Sequence, residues 1–375
     1  MTTHNANNER TKRQYFAYLK EARRYSEETV DAVAKSLTRF ESATNYRDFK
    51  AFRCEQAVAF KRHLAQQDGV VSGTKLSKAT LHATLNHLKR FFQWVAMQPG
   101  FKSRVRFSDA EYFNLSDNES RVATARRERR FPTIEQVRHV ISLMPSGDEI
   151  AKRDRAVVAF ILLTGARDSA VASLKCKHVD VQAGSVYQDA REVKTKFGKT
   201  FLTYFFPVGD EVRAIVVKWV TYLREIRLWG NDDPLFPATK VGLDDAGQFH
   251  AAGVGREHWG TAEPIRVIFR HAFSAADLPY FNPHSLRNTL VQLGETVCRT
   301  PEDFKAWSQN LGHEGVLTTF LSYGAVGSMR QGQILRELGT DSRPRFVASA
   351  QLDDAVRRVL REARRPRSET CSQQE

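Results

Sequence analysis

Residues 156–167 read AVVAFILLTGAR and organise the rest of the chain. The first eight are all apolar, which predicts a buried helix over residues 155–163. Thr164 and Gly165 are expected to end this helix, because glycine readily takes the left-handed turn that follows a helix. Arg167 then lies at a helix end and faces out of the buried layer. The apolar run is far shorter than the roughly 18 residues that a membrane span needs, so no membrane partner is expected.

The segments around this helix predict a second domain of helices with a small sheet. Residues 179–206 are rich in β-branched and aromatic residues, with glycines between them, which predicts an antiparallel sheet. Residues 230–262 are rich in glycine and aspartate and are predicted to be a long loop. Helices are predicted to begin near Thr133, Asp210, Ile265, Ser285 and Glu302.

The first third of the chain has the pattern of a helical domain. Apolar residues recur at helical spacing after Ser26, over residues 55–66 and after Ser77, where they form the clearest stripe, ending before Pro99. The stripes consist of Val30, Val33, Leu37 and Phe40; Val58, Phe60 and Leu64; and Leu81, Leu85, Leu88, Phe92 and Val95.

The charge of the chain is concentrated in this first third. The 375 residues carry a formal net charge of +14, and the isoelectric point is near 9.7. Residues 1–130 hold 25 basic and 14 acidic side chains, whereas the other 245 residues hold 32 and 29. This asymmetry predicts that the first third binds a polyanion such as nucleic acid. The four cysteines are far apart, and no secretory signal is recognisable, so a cytoplasmic protein with reduced thiols is expected.

A change of composition suggests where the domains meet. Residues 116–130, SDNESRVATARRERR, are nearly free of apolar side chains and are interpreted as a basic linker. Arg126 and Arg127 in this linker are candidates for contact with a phosphate backbone, although a merely solvated linker has the same composition. The predicted boundaries divide the chain into a helical, basic domain at 1–115, the linker at 116–130, a second domain at 131–345, and a C-terminal helix with a polar tail at 346–375.

The helix that follows Ser77 is the candidate for insertion into the DNA major groove. Lys75, Lys78, His82 and Arg90 are its candidate contacts with phosphates or base edges. A solvated polar helix face would show the same pattern, so both interpretations remain open.

Four short segments contain the residue types that phosphodiester chemistry without a metal requires. They are residues 164–167 (TGAR), 194–199 (KTKFGK), 284–287 (HSLR) and 311–313 (LGH), with Tyr323 ten residues later. Two arginines can neutralise the phosphate charge that Mg²⁺ neutralises elsewhere. A tyrosine, with a pKa of about 10, becomes a nucleophile where cations and a base favour the phenolate. Each segment alone also has a structural explanation, so the prediction depends on their combination and order.

In this order the segments resemble the tyrosine recombinases, also called the phage integrase family. The family pattern is an arginine after a glycine turn, a lysine in a β-hairpin, His-x-x-Arg, Gly-His and a nucleophilic tyrosine. The resemblance covers about residues 131–330, and the basic first third resembles the core-binding domain of the family. It implies a mainly α fold with a small antiparallel β-sheet, in which a helical N-terminal core-binding domain precedes an α+β catalytic domain. The implied activity is that of a site-specific integrase.

The resemblance also implies how DNA would be cleaved. Arg167 and Arg287 would hold the scissile phosphate, and Tyr323 would attack it, forming a 3′-phosphotyrosyl bond and releasing a 5′-hydroxyl. Lys196 would act as the general acid that protonates the leaving oxygen.

The remaining implied roles concern the two histidines and the partners. His284 would assist proton transfer at the nucleophile, and His313 would hydrogen-bond the phosphate. No metal, ATP or other cofactor is implied, because the covalent bond keeps the energy of the phosphodiester. The implied partner is double-stranded DNA, bound by a homo-tetramer on two paired sites, and accessory DNA-bending proteins are left open.

Three features depart from the family pattern. Ala170 occupies the position where many members have a carboxylate, three residues after the first arginine. The spacing from His313 to Tyr323 is one residue longer than in many members. Residues 194–199 contain three lysines that are candidates for the general acid, and alignment of TKFGKTF with the family hairpin favours Lys196.

Part of the same residue set is compatible with other functions. A type IB topoisomerase shares the nucleophile and the fold, and a catalytically silent DNA-binding regulator could share the fold alone; both stay open as alternatives. A P-loop NTPase is excluded because position 193, where its first glycine would stand, is valine. A metal nuclease is disfavoured because the four segments contain few carboxylates, and no His/Cys set has zinc spacing.

Overall fold

The computed structural model describes residues 4–68, 75–125, 130–243 and 247–312. The chain divides into two compact units, residues 1–127 and residues 128–375. His313, Tyr323, Arg126, Arg127 and the whole predicted segment 346–375 lie outside the described residues.

The first unit is mainly helical in its described part. Its α-helices are α1 (Ala6–Ala17), α2 (Glu27–Ala43), α3 (Cys54–Gln66), α4 (Lys78–Ala96) and α5 (Asp117–Thr124). The π-helical turn Tyr18–Ala22 continues α1, and 3₁₀ turns lie at Phe49–Ala51 and Phe107–Phe113. The predicted cap of α4 is confirmed, since the Ser77 hydroxyl accepts a hydrogen bond from the Thr80 N–H at 3.1 Å.

Aromatic rings fill the core of this unit. Phe52 and Phe92 stack with ring centroids 3.7 Å apart, and Phe40 packs edge-on against Phe92 at 5.2 Å. The predicted stripes of α2 and α4 are confirmed as buried, because all of their named residues line this core. In α3, Phe60 and Leu64 are buried, whereas Val58 is only half-buried.

The segment interpreted as a linker is largely helical. Over residues 117–124 it forms α5, which contacts α4. Ser116 and Glu119 close a capping box at its start, with the Glu119 N–H 3.2 Å from the Ser116 hydroxyl. The capping box and the contact with α4 account for a helix in a stretch whose few apolar residues gave no helical stripe.

The second unit is built around the predicted buried helix. It begins with α6 (Ile134–Leu143), which Thr133 caps as predicted, and α7 (Glu149–Thr164). Side chains 156–163 are at most 1% exposed, so α7 is the central helix of this unit. Helix α7 ends at Gly165 in the left-handed conformation, with φ of +63°. A Cβ at Gly165 would lie 2.8 Å from Leu311 Cδ2, so the turn also allows the chain near Leu311 to approach closely.

The predicted small antiparallel sheet is confirmed. Its strands are β1 (Val179–Asp180), β2 (Ser185–Gln188) and β3 (Phe201–Tyr204), in the order β1-β2-β3. Val186 pairs with Val179 on one side and with Thr203 on the other. The short helix α8 (Asp168–Val171) and a 3₁₀ turn at Cys176–His178 connect α7 to this sheet.

The prediction of a long loop over residues 230–262 is wrong. The strands β4 (Pro237–Leu243) and β5 (Phe249–His258) form an antiparallel hairpin there, with β-bulges. Few side chains of this hairpin are buried, and the large apolar Val241, Leu243 and Phe249 are exposed, so buried apolar and exposed polar residues do not alternate along its strands. Backbone pairing, which composition does not reveal, forms these strands.

The other predicted helices of this unit are confirmed. They are α9 (Asp210–Thr221), continued by a π-helical turn at Tyr222–Ile226, then α10 (Glu263–Ala275), α11 (Ser285–Val297) and α12 (Pro301–Asn310). Within the parts of the chain that the structure describes, no helix combines the length and the apolar character needed to cross a membrane.

Candidate active site

Arg167 lies where the sequence places it, just beyond the end of α7. It occupies the N-cap position of α8 and is half-buried, whereas Ala166 before it is 4% exposed. The glycine turn and the start of α8 fix its backbone on both sides. The guanidinium is therefore carried by a rigid junction between two helices.

Arg287 brings three of the four predicted segments together. Its side chain is on α11 and is only 2% exposed. Its Nη1 donates a hydrogen bond to the carbonyl oxygen of Gly165, and its Nη2 donates one to that of Leu311. The segments TGAR, HSLR and LGH thus meet at one guanidinium, although they lie up to 149 positions apart in the chain.

His284 lies one turn before Arg287 on the same side of α11. It occupies the N-cap position of that helix and is exposed. Residues at i and i+3 share a helical face, so the histidine lies on the solvent side of the buried arginine. This arrangement places an exposed imidazole one helical turn before a buried guanidinium.

The predicted lysines lie on the connection between β2 and β3. Lys196 is exposed and begins the 3₁₀ turn Lys196–Gly198, with its Nζ 4.8 Å from the centre of the Phe197 ring. Phe197 has φ of +63° and is 81% exposed. At the start of the connection, Arg191 hydrogen-bonds Asp189 and lowers the pKa of that carboxyl to about 2.

The chain beyond α12 approaches both Arg287 and β3. Gly312 has φ of +71°, and a Cβ there would lie 2.9 Å from the Phe201 ring. The Asn310 side chain hydrogen-bonds the main chain of Tyr204, at 2.6 Å and 2.8 Å. The described part of the chain therefore ends one residue before His313, packed against the lysine-bearing hairpin.

An ion pair that the sequence did not reveal lies beside Arg167. Asp168 Oδ2 is 2.9 Å from Nε of Arg266, on α10, and this hydrogen bond raises the pKa of the Arg266 guanidinium. A carboxylate thus stands one residue after Arg167, while Ala170 is buried as a small apolar residue. Since Asp168 and Arg266 are 98 positions apart, no local pattern indicated the pair.

The predicted DNA contacts of the first unit lie at and near α4. Lys75, Lys78 and Arg90 are exposed, and His82 is half-buried. Lys78 and His82 are four positions apart and share one face of α4, whereas Arg90 lies about 120° around the helix from Lys78. Lys89, by contrast, forms an ion pair with Glu111 at 2.8 Å, and its charge is partly compensated within the protein.

The described residues hold no group of three or more His, Cys, Asp or Glu side chains arranged to bind a metal. The Arg287 guanidinium at Gly165, and Arg167 two positions after that glycine, instead suit an anionic ligand. Arg287 provides a fixed buried charge, Arg167 lies at a helix start, and Lys196 is accessible.

This fold and these cations define a class of enzyme, the site-specific DNA recombinases. Two family models match the chain: residues 131–326 match the phage integrase family, and residues 13–98 match the phage integrase N-terminal SAM-like domain. The first match covers more than half of the chain. The protein therefore belongs to the phage integrase family, the tyrosine recombinases.

Known proteins support this membership. The chain is 24% identical over 345 residues to tyrosine recombinase XerC of Pseudomonas putida strain W619. The aligned region covers 89% of this chain and 100% of that protein. A lambda integrase dimer bound to a COC′ core site has a TM-score of 0.57 at 14% identity, covering 85% of this chain and 96% of that one. The XerH recombinase bound to difH has a TM-score of 0.51 at 14% identity, covering 88% and 85%. These likenesses confirm the expected fold, a helical N-terminal domain followed by an α+β domain.

Proposed function

We propose that this recombinase cleaves and rejoins DNA strands at specific sites through a 3′-phosphotyrosyl intermediate, without ATP or a metal. The observation that carries this proposal is the Arg287 guanidinium. It is buried and holds the arginine-bearing turn at Gly165 and the chain at Leu311 around one positive centre. Such a preorganised centre stabilises the additional negative charge that develops on a phosphate during displacement.

In the proposed reaction, Arg167 and Arg287 bind the scissile phosphate. The phenolate oxygen of Tyr323 forms a bond to phosphorus while the bond from phosphorus to the 5′ oxygen breaks. Lys196 donates its proton to that leaving oxygen, which departs as a 5′-hydroxyl. Religation reverses these steps, with a 5′-hydroxyl of the same or a second strand attacking the phosphotyrosine.

The two histidines complete the proposed site. His284, exposed beside Arg287, takes the proton of the attacking phenol and returns it during religation. His313 follows Gly312 directly and hydrogen-bonds a phosphate oxygen. The hydrogen bond of Arg287 to the Leu311 carbonyl, two positions before His313 in the sequence, supports a role for His313 in the same site.

Double-stranded DNA is the proposed partner. The lambda integrase and XerH structures that share this fold are complexes with DNA sites. In this chain Lys75, Lys78, His82 and Arg90 would contact the DNA from the first unit, and a homo-tetramer on two paired sites would exchange the strands. Arg126 and Arg127, in the linker between domains 1–115 and 131–345, would contact the phosphate backbone. The protein would act in the cytoplasm.

A trapping experiment tests the proposal. Nicked duplexes tiled across the DNA that flanks the gene are incubated with the protein in EDTA, so that a cleaved strand loses the fragment needed for religation. We expect a protein–DNA adduct on a denaturing gel with wild type and none with Tyr323→Phe. Absence of an adduct with wild type on every duplex, or an adduct that persists in Tyr323→Phe, would contradict the proposal.

A further inference from the structure

The lysine-bearing segment 194–204 is held at both ends by side chains from other elements. At its start, the Lys194 main-chain N–H donates to Ser173 Oγ at 2.8 Å, and Ser169 Oγ donates to the Lys194 carbonyl at 3.3 Å. At its end, the Tyr204 N–H donates to Asn310 Oδ1 at 2.6 Å, and Asn310 Nδ2 donates to the Tyr204 carbonyl at 2.8 Å. In both places side chains take the hydrogen bonds that a neighbouring strand would otherwise make.

These side chains come from the segments that carry other predicted site residues. Ser169 stands two positions after Arg167, and Asn310 stands three positions before His313. Between the two attachments the segment is exposed around residues 196–198, where Phe197 and Gly198 both have positive φ. The attachments therefore determine where the tip of the hairpin lies relative to Arg167 and Arg287.

The side-chain amide of Asn310 matches the main-chain groups of Tyr204 that it binds. A planar amide offers one acceptor and one donor side by side, which fits the N–H and the carbonyl of a single residue. The Thr203 hydroxyl donates to the Asn310 main-chain carbonyl at 3.3 Å, and Gly312 packs on Phe201, so the contact continues along β3. An aspartate at 310 would place an oxygen against the Tyr204 carbonyl, and an alanine would leave both groups of Tyr204 without this partner.

We propose that Asn310, Ser169 and Ser173 are positioning residues that set the Lys196 ammonium against the leaving oxygen; this inference rests on the proposed function. A general acid must lie within hydrogen-bond reach of the atom that it protonates. The hydrogen bonds of these three side chains join the lysine hairpin to the segment after Arg167 and to the segment before His313. They would thereby fix the distance from the Lys196 ammonium to the leaving oxygen. We therefore expect their loss to affect mainly protonation of the leaving group.

Sulfur substitution at the leaving atom separates protonation from the other steps. The duplex that wild type cleaves is prepared with either oxygen or sulfur bridging phosphorus to the 5′ carbon. A thiol has a pKa of about 8.5 and departs as a thiolate without a general acid. We expect Asn310→Ala and Ser173→Ala to slow cleavage of the oxygen-linked duplex by about 10- to 100-fold, as for a small misplacement of a catalytic group. On the sulfur-linked duplex both should cleave at the rate of wild type.

Two further variants make the test specific. Gln309→Ala removes an exposed neighbouring side chain and should cleave both duplexes like wild type. Adding Asn310→Ala to Lys196→Ala should slow the oxygen-linked reaction no further, because the two residues act on the same step.

The outcomes distinguish this inference from the proposed function. Equal losses on both duplexes, or no loss in either single variant, would overturn the positioning role while leaving the recombinase proposal intact. If Asn310→Ala does not fold, Ser173→Ala carries the same prediction at the other end of the segment. No adduct with wild type on either duplex would overturn the proposed function and this inference together.

Discussion

The two cationic regions of the second unit are built in opposite ways. Arg287 is 2% exposed and hydrogen-bonded to two main-chain carbonyls, whereas Lys196 is exposed on a turn between the attachments at Lys194 and Tyr204. A charge that must bind every substrate phosphate identically gains from a fixed position. An acid that must reach one leaving atom has to be accessible. On the proposed roles, the comparison teaches that phosphate binding would be placed in the core and proton delivery at the surface.

Arg287→Ala should have the largest effect, because it removes a binding group and a structural link together. We expect cleavage to fall by at least about 1,000-fold, comparable to the loss of a main transition-state donor. Stability should fall as well, since two buried carbonyls lose their donor at about 1–3 kcal/mol each. Trapping of the adduct and urea unfolding measure the two effects, with exposed Arg299→Ala as the control. An unchanged unfolding midpoint would contradict the structural part of the comparison.

Lys196→Ala should differ from Arg287→Ala, because it should lose cleavage without losing stability. Removal of a general acid costs about 100- to 10,000-fold in rate, while an exposed side chain contributes little to folding. Cleavage rates of Lys194→Ala and Lys199→Ala, measured beside it, identify the acid among the three lysines. A larger loss in either of those variants would show that Lys196 is the wrong choice.

Substitution of Gly165, in the region of Arg287, should destabilise the protein more than substitution of Gly198, in the region of Lys196. Gly165→Ala introduces a Cβ 2.8 Å from Leu311 Cδ2 at a φ of +63°, whereas Gly198→Ala meets nothing within 4 Å at a φ of +61°. Backbone strain of about 1 kcal/mol is common to both, and overpacking adds about 1–3 kcal/mol only at Gly165. Urea unfolding compares the two variants. Equal destabilisation would show that the turn at Gly165 is not tightly packed.

The smallest effect is expected on the first unit, where single charges act additively on DNA binding. Lys78→Ala should weaken binding and lower the slope of log affinity against log salt by about one. Lys89→Ala is the matched control on the same helix, because Lys89 is paired with Glu111. A titration by fluorescence anisotropy at several salt concentrations measures both. An unchanged slope in Lys78→Ala would favour a solvated helix face.

Sequence predicted the parts of the fold whose cause is local. The apolar run of α7, the glycine after it and the Ser77 cap each act within a few residues, and each was confirmed. The β4–β5 hairpin escaped prediction because its side chains are mostly exposed and its strands are specified by pairing. Helix α5 escaped because a capping box and a contact with α4 stabilise it, rather than an apolar stripe.

The same distinction holds for the candidate site. The types and order of the residues predicted the candidate site residues. They did not predict that Arg287 binds the carbonyls of Gly165 and Leu311, because every residue carries a main-chain carbonyl. The Asp168–Arg266 ion pair and the contact of Asn310 with Tyr204 depend on tertiary structure across about 100 positions. Such contacts leave no spacing that a single sequence reveals.

The identity of the amino acid bonded to DNA provides the most decisive observation. The trapped adduct is digested with trypsin and nuclease, and the peptide that carries the remaining nucleotide is fragmented in a mass spectrometer. We expect the nucleotide on residues 306–330, joined through its 3′ phosphate to Tyr323, the only tyrosine in that peptide. A nucleotide on another residue, or one joined through a 5′ phosphate, would contradict the account.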